Sequence, residues 1–205
     1  MISIINYGLG NILAFVNIYK RLNIPVSVVT TPGQLLHAKK IVLPGVGSFD
    51  WAMSRLNQSG LREVLDTLVL QKQIPVIGVC VGMQMMANRS DEGESEGLGW
   101  IDADVKRFDV TRFAQATHLP HMGWNDVTPV KESPLFAGLE RDARFYFLHS
   151  YYFAHKKEEH VLAQTDYSGL FTSAAHRGNI YGVQFHPEKS HHCGVRLLKN
   201  FSKFS

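Results

Sequence analysis

Short apolar runs alternate with helical stripes through residues 1–88, and a chain built this way has few folds open to it. Residues 2–6 form an apolar run ahead of a glycine-bearing turn, and residues 11–22 then set Ile12, Phe15, Val16, Tyr19 and Leu22 on one helical face. Residues 26–30 and 40–43 read as further strands, the second stopped by Pro44-Gly45-Val46-Gly47. Helical patterns cover 49–56 and 61–71, residues 76–79 read as a strand buried on both faces, and 82–88 is rich in helix formers. Parallel strands need crossover connections, and crossovers are right-handed. The order therefore predicts a Rossmann-like three-layer α/β sandwich around a central, mostly parallel sheet.

After the acidic, glycine-rich segment 91–99 the pattern changes. Residues 100–108, 124–130, 145–153, 161–167, 170–176 and 180–185 are strand-like with turn residues between them, which predicts mixed or antiparallel additions to the sheet, and a closing helix is expected over 193–204. Neither a repeat nor a linker interrupts the chain, so one domain over 1–205 is expected.

Composition narrows the function classes. A net charge of +3, with no long block of either sign, gives no track for a phosphate backbone, so nucleic acid is not expected as a partner. The longest apolar stretch, 74–83, contains Pro75, Gly78 and Gly82 and is about half of what a bilayer crossing needs, and the opening MISIINYGLGN has no basic leader. No membrane association and no export are expected. Cys80 and Cys193 are the only cysteines and form no CxxC pair, which fits a reducing cytoplasm. Adjacent residues rarely converge on one ion, so His191-His192-Cys193 reads as a helix start and no metal is expected.

Gly78-Val79-Cys80-Val81-Gly82 has the form of a nucleophile elbow, a sharp strand-to-helix turn that thrusts its central side chain outward, with cysteine as the nucleophile. A helix N-terminus there would favour the thiolate. A cysteine nucleophile needs a base. His186-Pro187-Glu188 directly follows a strand pattern, and residues two apart in an extended segment share a side, so His186 is the candidate base and Glu188 the group that fixes its tautomer. Donors for a developing oxyanion are expected from the Val81 N–H and from the turn ending at Gly47.

INYGLGN, LPGVGSFDWAM, GVCVGMQMM, PHMGWN, FYFLHSYY and YGVQFHPEKS occur in that order over nearly the whole chain. Together they resemble the class I, triad-type glutamine amidotransferases, and within that class the branch of glutaminase subunits that serves imidazole glycerol phosphate synthesis. The resemblance implies hydrolysis of glutamine by Cys80, His186 and Glu188, with no cofactor. It implies that Gln84 and Glu92 hold the amino-acid end of glutamine and that Ser150 and Tyr151 offer backbone contacts. It also implies a heterodimer with a (β/α)8-barrel cyclase that uses the ammonia to make imidazole glycerol phosphate and AICAR in histidine biosynthesis, with His121, Met122, Gly123, Trp124, Asn125, Tyr146 and Lys189 along the seam. Three alternatives stand beside it: a paralogous glutaminase supplying ammonia for a bacterial surface sugar, a stand-alone cysteine γ-glutamyl hydrolase or peptidase on the same fold, and a nucleotide-binding module using YGLGN. The last lacks the full G-x-G-x-x-G pattern.

Overall fold

Four consecutive buried side chains make β1 (Ile2–Ile5) a strand covered on both faces, as an interior parallel strand must be. In the computed structural model, which describes residues 1–113 and 117–204, it is followed by α1 (Ile12–Arg21), β2 (Val26–Val29), α2 (Pro32–Leu35) and β3 (Ile41–Gly45). Next come α3 (Phe49–Gln58), α4 (Arg62–Asp66) running on as a π-turn over Thr67–Gln71, β4 (Val76–Cys80) and α5 (Val81–Gln84). The β-rich remainder contains β5 (Arg89–Ser90), β6 (Ala103–Arg107), β7 (His121–Asp126), β8 (Thr128–Pro129) and β9 (Arg144–His149). It closes with β10 (Tyr151–His155), β11 (Val161–Asp166), β12 (Leu170–Arg177), β13 (Ile180–Val183) and α6 (His191–Phe201).

The main sheet has the order β2-β1-β3-β4-β13-β12-β10-β6-β5. Its first five strands are mutually parallel, as the alternating pattern predicts. Beyond β13 the pairings with β12, β10 and β6 are antiparallel, β5 returns parallel to β6, and β11 and β8 branch from β12. β7 and β9 form a separate antiparallel ribbon. The fold is α/β, with helices following the parallel strands and the antiparallel additions on one side of the sheet. Among the described residues, no helix is long and apolar enough to cross a membrane.

Register positions the chemistry. Gly45 pairs with Cys80, and Val183 pairs with Val79, so the ends of β3, β4 and β13 meet at one edge of the sheet. That carboxyl edge is where open parallel sheets bind ligands.

Several expected boundaries move, for physical reasons. β3 does not stop before Pro44 but runs through Gly45, because its pairing with β1 ends at Val42 and Pro44 needs no donor on that side. The helix expected over 82–88 is the single turn α5: Leu98, Ile101 and Gly99 donate to the carbonyls of Met85, Met86 and Ala87 and divert the chain from helical bonding. Residues 145–153 are two strands, broken at Ser150, that serve different sheets. The strand expected over 124–130 starts earlier, as β7 from His121, and ends at Asp126.

Candidate active site

Cys80 ends β4 with φ +55° and ψ −114°, a conformation that an L-residue adopts only under strain. This is the outward-thrust geometry of a nucleophile elbow. The flanking glycines make it possible: a Cβ on Gly78 would come within 2.6 Å of the Gly82 carbonyl oxygen, and one on Gly82 would overlap the Leu43 carbonyl. Val81 is the first residue of α5, so its N–H lacks an intrahelical partner. With only one turn behind it, α5 supplies little of the helix dipole that the sequence reading assigned to Cys80.

His186 follows β13, and its N–H donates to the Tyr146 carbonyl at 2.8 Å. Its Nδ1 lies 2.9 Å from Glu188 Oε1, with both side chains buried. The two residues share a side through a 3-10 turn over Pro187–Lys189 rather than through extended chain. Ser190 ties the arrangement down, accepting from the Tyr146 N–H and donating to the His186 carbonyl. Burial opposes charge on the His186 ring, but hydrogen bonds to the Cys80 sulfur and the Glu188 carboxylate, together with their charges, push it up to about 10. Tyr7 is held above the ordinary phenol range by burial and by the Cys80 charge, and its hydroxyl donates to the Pro44 carbonyl at 2.7 Å.

A cavity of about 230 Å³ opens at Cys80, bordered by Gly47, Val81, Gln84, Glu92, Ser150 and Tyr151. Its volume suits a free amino acid better than a drug-sized ligand. A larger hollow of about 510 Å³ between Pro129 and Glu140 has neither cysteine nor histidine in its wall. Glu92 Oε2 accepts from the Phe49 N–H at 2.8 Å and so also caps α3. Gln84 Nε2 donates to the Tyr151 carbonyl at 3.2 Å and to Gln184 Oε1 at 3.0 Å. Three further residues meet at this site without having been expected from the sequence. His149 borders the cavity, Leu148 does so with its carbonyl 4.0 Å from Cys80 Sγ, and buried Gln184 holds Nε2 3.7 Å from the same sulfur. Only Gln184 carried a signal, as the polar residue of an otherwise apolar strand exit, GVQF.

The seven residues expected along a partner seam divide by the pleat of the β7–β9 ribbon. Met122 pairs with Leu148 and Trp124 with Tyr146, and this face points outward, with Met122 65%, Trp124 41% and Leu148 38% exposed. Exposed Lys189 reaches within 5.5 Å of the Tyr146 ring centre, and Trp124 stacks on His191. Gly123 and Asn125 alternate to the other side and are half-buried. His121, on that same other side, is buried and stacked on Phe147 and Tyr167, because the pleat of β7 turns it inward.

A family model described as glutamine amidotransferase class-I matches residues 3–203. The chain is 57% identical to the imidazole glycerol phosphate synthase subunit HisH of Bdellovibrio bacteriovorus, over 99% of this chain and 100% of that one. It is 50% identical to the HisH subunit of Leptospira interrogans, over 98% and 99%. Among solved structures, one described as a glutamine amidotransferase superposes with a TM-score of 0.74 at 17% identity, covering 99% of each chain, which is a likeness of fold.

Proposed function

The chain belongs to the class-I glutamine amidotransferase family, and from that premise we propose that it is the glutaminase subunit of an imidazole glycerol phosphate synthase, hydrolysing glutamine with Cys80, His186 and Glu188. The observation that carries this reading is the strained cysteine facing a buried His–Glu pair over an amino-acid-sized cavity.

In the reaction, the Cys80 sulfur attacks the side-chain amide carbon of glutamine while the Val81 N–H and the backbone at Gly47 stabilise the oxyanion. His186, protonated on Nε2 and steadied at Nδ1 by Glu188, gives its proton to the departing ammonia, leaving a γ-glutamyl thioester at Cys80. Water then attacks the thioester. His186 takes the proton from that water, the C–S bond breaks, and glutamate leaves. Gln84, Glu92, Ser150 and Tyr151 line the cavity where the amino-acid end of glutamine sits. No cofactor enters any step.

The ammonia passes to a cyclase subunit, a (β/α)8 barrel forming a heterodimer with this chain, which builds imidazole glycerol phosphate and AICAR for histidine biosynthesis in the cytoplasm. Met122, Trp124, Leu148 and Tyr146 support the position of that seam: they form an exposed apolar face on the ribbon whose Leu148 carbonyl approaches the nucleophile. Ammonia is protonated in bulk water, so a joint sealed over the site keeps it reactive. Both cysteines are free thiols, in keeping with a reducing compartment.

Glutamate release measured for the chain alone, with the cyclase, and with the cyclase holding its ligand tests the reading. Slow hydrolysis by the chain alone and strong stimulation in the loaded complex are expected. Robust turnover of γ-glutamyl peptides without any partner would favour a stand-alone hydrolase and contradict it.

A further inference from the structure

Gln184 is fully buried directly after β13, does not border the substrate cavity, and has no part in the hydrolysis above. It is nonetheless the inner end of a run of hydrogen bonds whose every member has one possible orientation. At the outer end, the Asp166 carbonyl can only accept, so Asn125 turns Nδ2 towards it at 2.9 Å. The other hydrogen of that nitrogen goes to His121 Nε2 at 3.2 Å. His121 therefore carries its proton on Nδ1 and donates to His149 Nε2 at 2.9 Å. His149 in turn carries its proton on Nδ1 and donates to the Tyr151 carbonyl at 2.7 Å.

That carbonyl also accepts from Gln84 Nε2, whose second hydrogen goes to Gln184 Oε1. Both hydrogens of the Gln84 amide are thus committed inside the protein. The Gln184 amide is left with its Nε2 side towards the Cys80 sulfur. Two carbonyls, which cannot donate, fix the run from both ends, and the directions agree in the middle only if both imidazoles are neutral. Burial pushes His121 down to about 4 and His149 down to about 3, which keeps them so. A proton added to either ring would set two donors face to face.

We infer that the run Asn125–His121–His149–Tyr151 O–Gln84–Gln184 positions the Cys80 sulfur: Gln184 holds it directly, Gln84 fixes which way Gln184 points, and Asn125, His121 and His149 hold in place the Tyr151 carbonyl that orients Gln84. The inference rests on the glutaminase reading and adds a specific reason for the inward turn of β7: the strand that faces outward with Met122 and Trp124 turns His121 and Asn125 to the other side, where His121 meets His149.

The test is labelling of Cys80 in the full chain by the chloromethyl-ketone analogue of glutamine, followed by mass spectrometry over a range of analogue concentrations. Gln184→Met keeps the volume and removes the amide. Its maximal labelling rate is expected to fall about tenfold to a hundredfold with the half-saturating concentration unchanged, since the residue does not border the cavity. Asn125→Leu, at the half-buried outer end, is expected to lower the same maximal rate by a smaller factor, again without moving half-saturation. A purely structural role would shift both quantities or neither. Wild-type maximal rates in both variants, or a change confined to half-saturation, would overturn the inference. If Gln184→Met does not fold, Asn125→Leu decides by the same criterion. A wild-type chain that the analogue leaves unlabelled even in complex with the ligand-loaded cyclase would overturn the glutaminase reading and this inference with it, whereas a labelled wild type with unaffected variants overturns the inference alone.

Discussion

At Cys80 the backbone works against stability so that the sulfur can face the cavity. An L-residue at φ +55° and ψ −114° is strained by about 1–3 kcal/mol, whatever its side chain. Cys80→Ala is expected to fold normally and lose glutamine hydrolysis. Cys80→Gly is expected to be equally inactive yet more stable than Cys80→Ala by about 1 kcal/mol in urea unfolding, because glycine adopts this conformation freely and the relief exceeds its extra unfolded-state entropy. A Gly variant no more stable than the Ala variant would mean that the turn stores no strain. The buried imidazoles give a second prediction at this scale. His121 and His149 stay unprotonated when folded down to about 4 and about 3, whereas in the unfolded chain they take up protons near 6.5. Stability therefore falls as pH drops from about 6.5, by up to roughly 1.4 kcal/mol per pH unit for each ring. His186, pushed up to about 10, works in the opposite sense: its contribution is complete below about 6.5 and is lost as pH rises through about 10. Unfolding free energies measured between about pH 4.5 and pH 6.5 should show a shallower slope in His149→Gln than in the wild type, and equal slopes would contradict the assignment of the buried neutral rings.

At the scale of elements, the β7–β9 ribbon serves two purposes by alternation. Its inner face packs Phe145 against Phe185 and carries the histidine pair, while its outer face leaves an indole and a thioether in solvent. A monomer gains nothing from exposing Trp124. Trp124→Ala is expected to weaken cyclase binding by about 2 kcal/mol in calorimetric titration and to leave thermal unfolding of the isolated chain nearly unchanged. Unchanged affinity would remove this face from the seam. α5 teaches the complementary lesson. Met, Gln and Ala favour a longer helix there, but three carbonyls captured by residues 98–101 end it after one turn, and that capture depends on chain more than ten residues away. Local preference could not reveal it.

Across the whole molecule, what the sequence made legible is what neighbouring residues decide. The alternation of strands and helices gave the parallel half of the sheet, and the glycines around Cys80 marked a turn that requires them. His186 and Glu188 were readable because they lie two residues apart after a strand, although a 3-10 turn, not extended chain, brings them together. What stayed hidden depends on which strands become neighbours: His121 turning inward, His149 meeting it across the ribbon, and Gln184 reaching the sulfur from β13. These contacts join the two halves of the chain, since Cys80 comes from the first and nearly everything that orients it from the second. The most direct test of that division of labour is intact-mass analysis of the chain in complex with its cyclase, acid-quenched during glutamine turnover. A γ-glutamyl adduct on Cys80 in the wild type, absent from Cys80→Ala along with all hydrolysis, is the predicted result; hydrolysis that continues in Cys80→Ala, or turnover with the adduct on another residue, would contradict it.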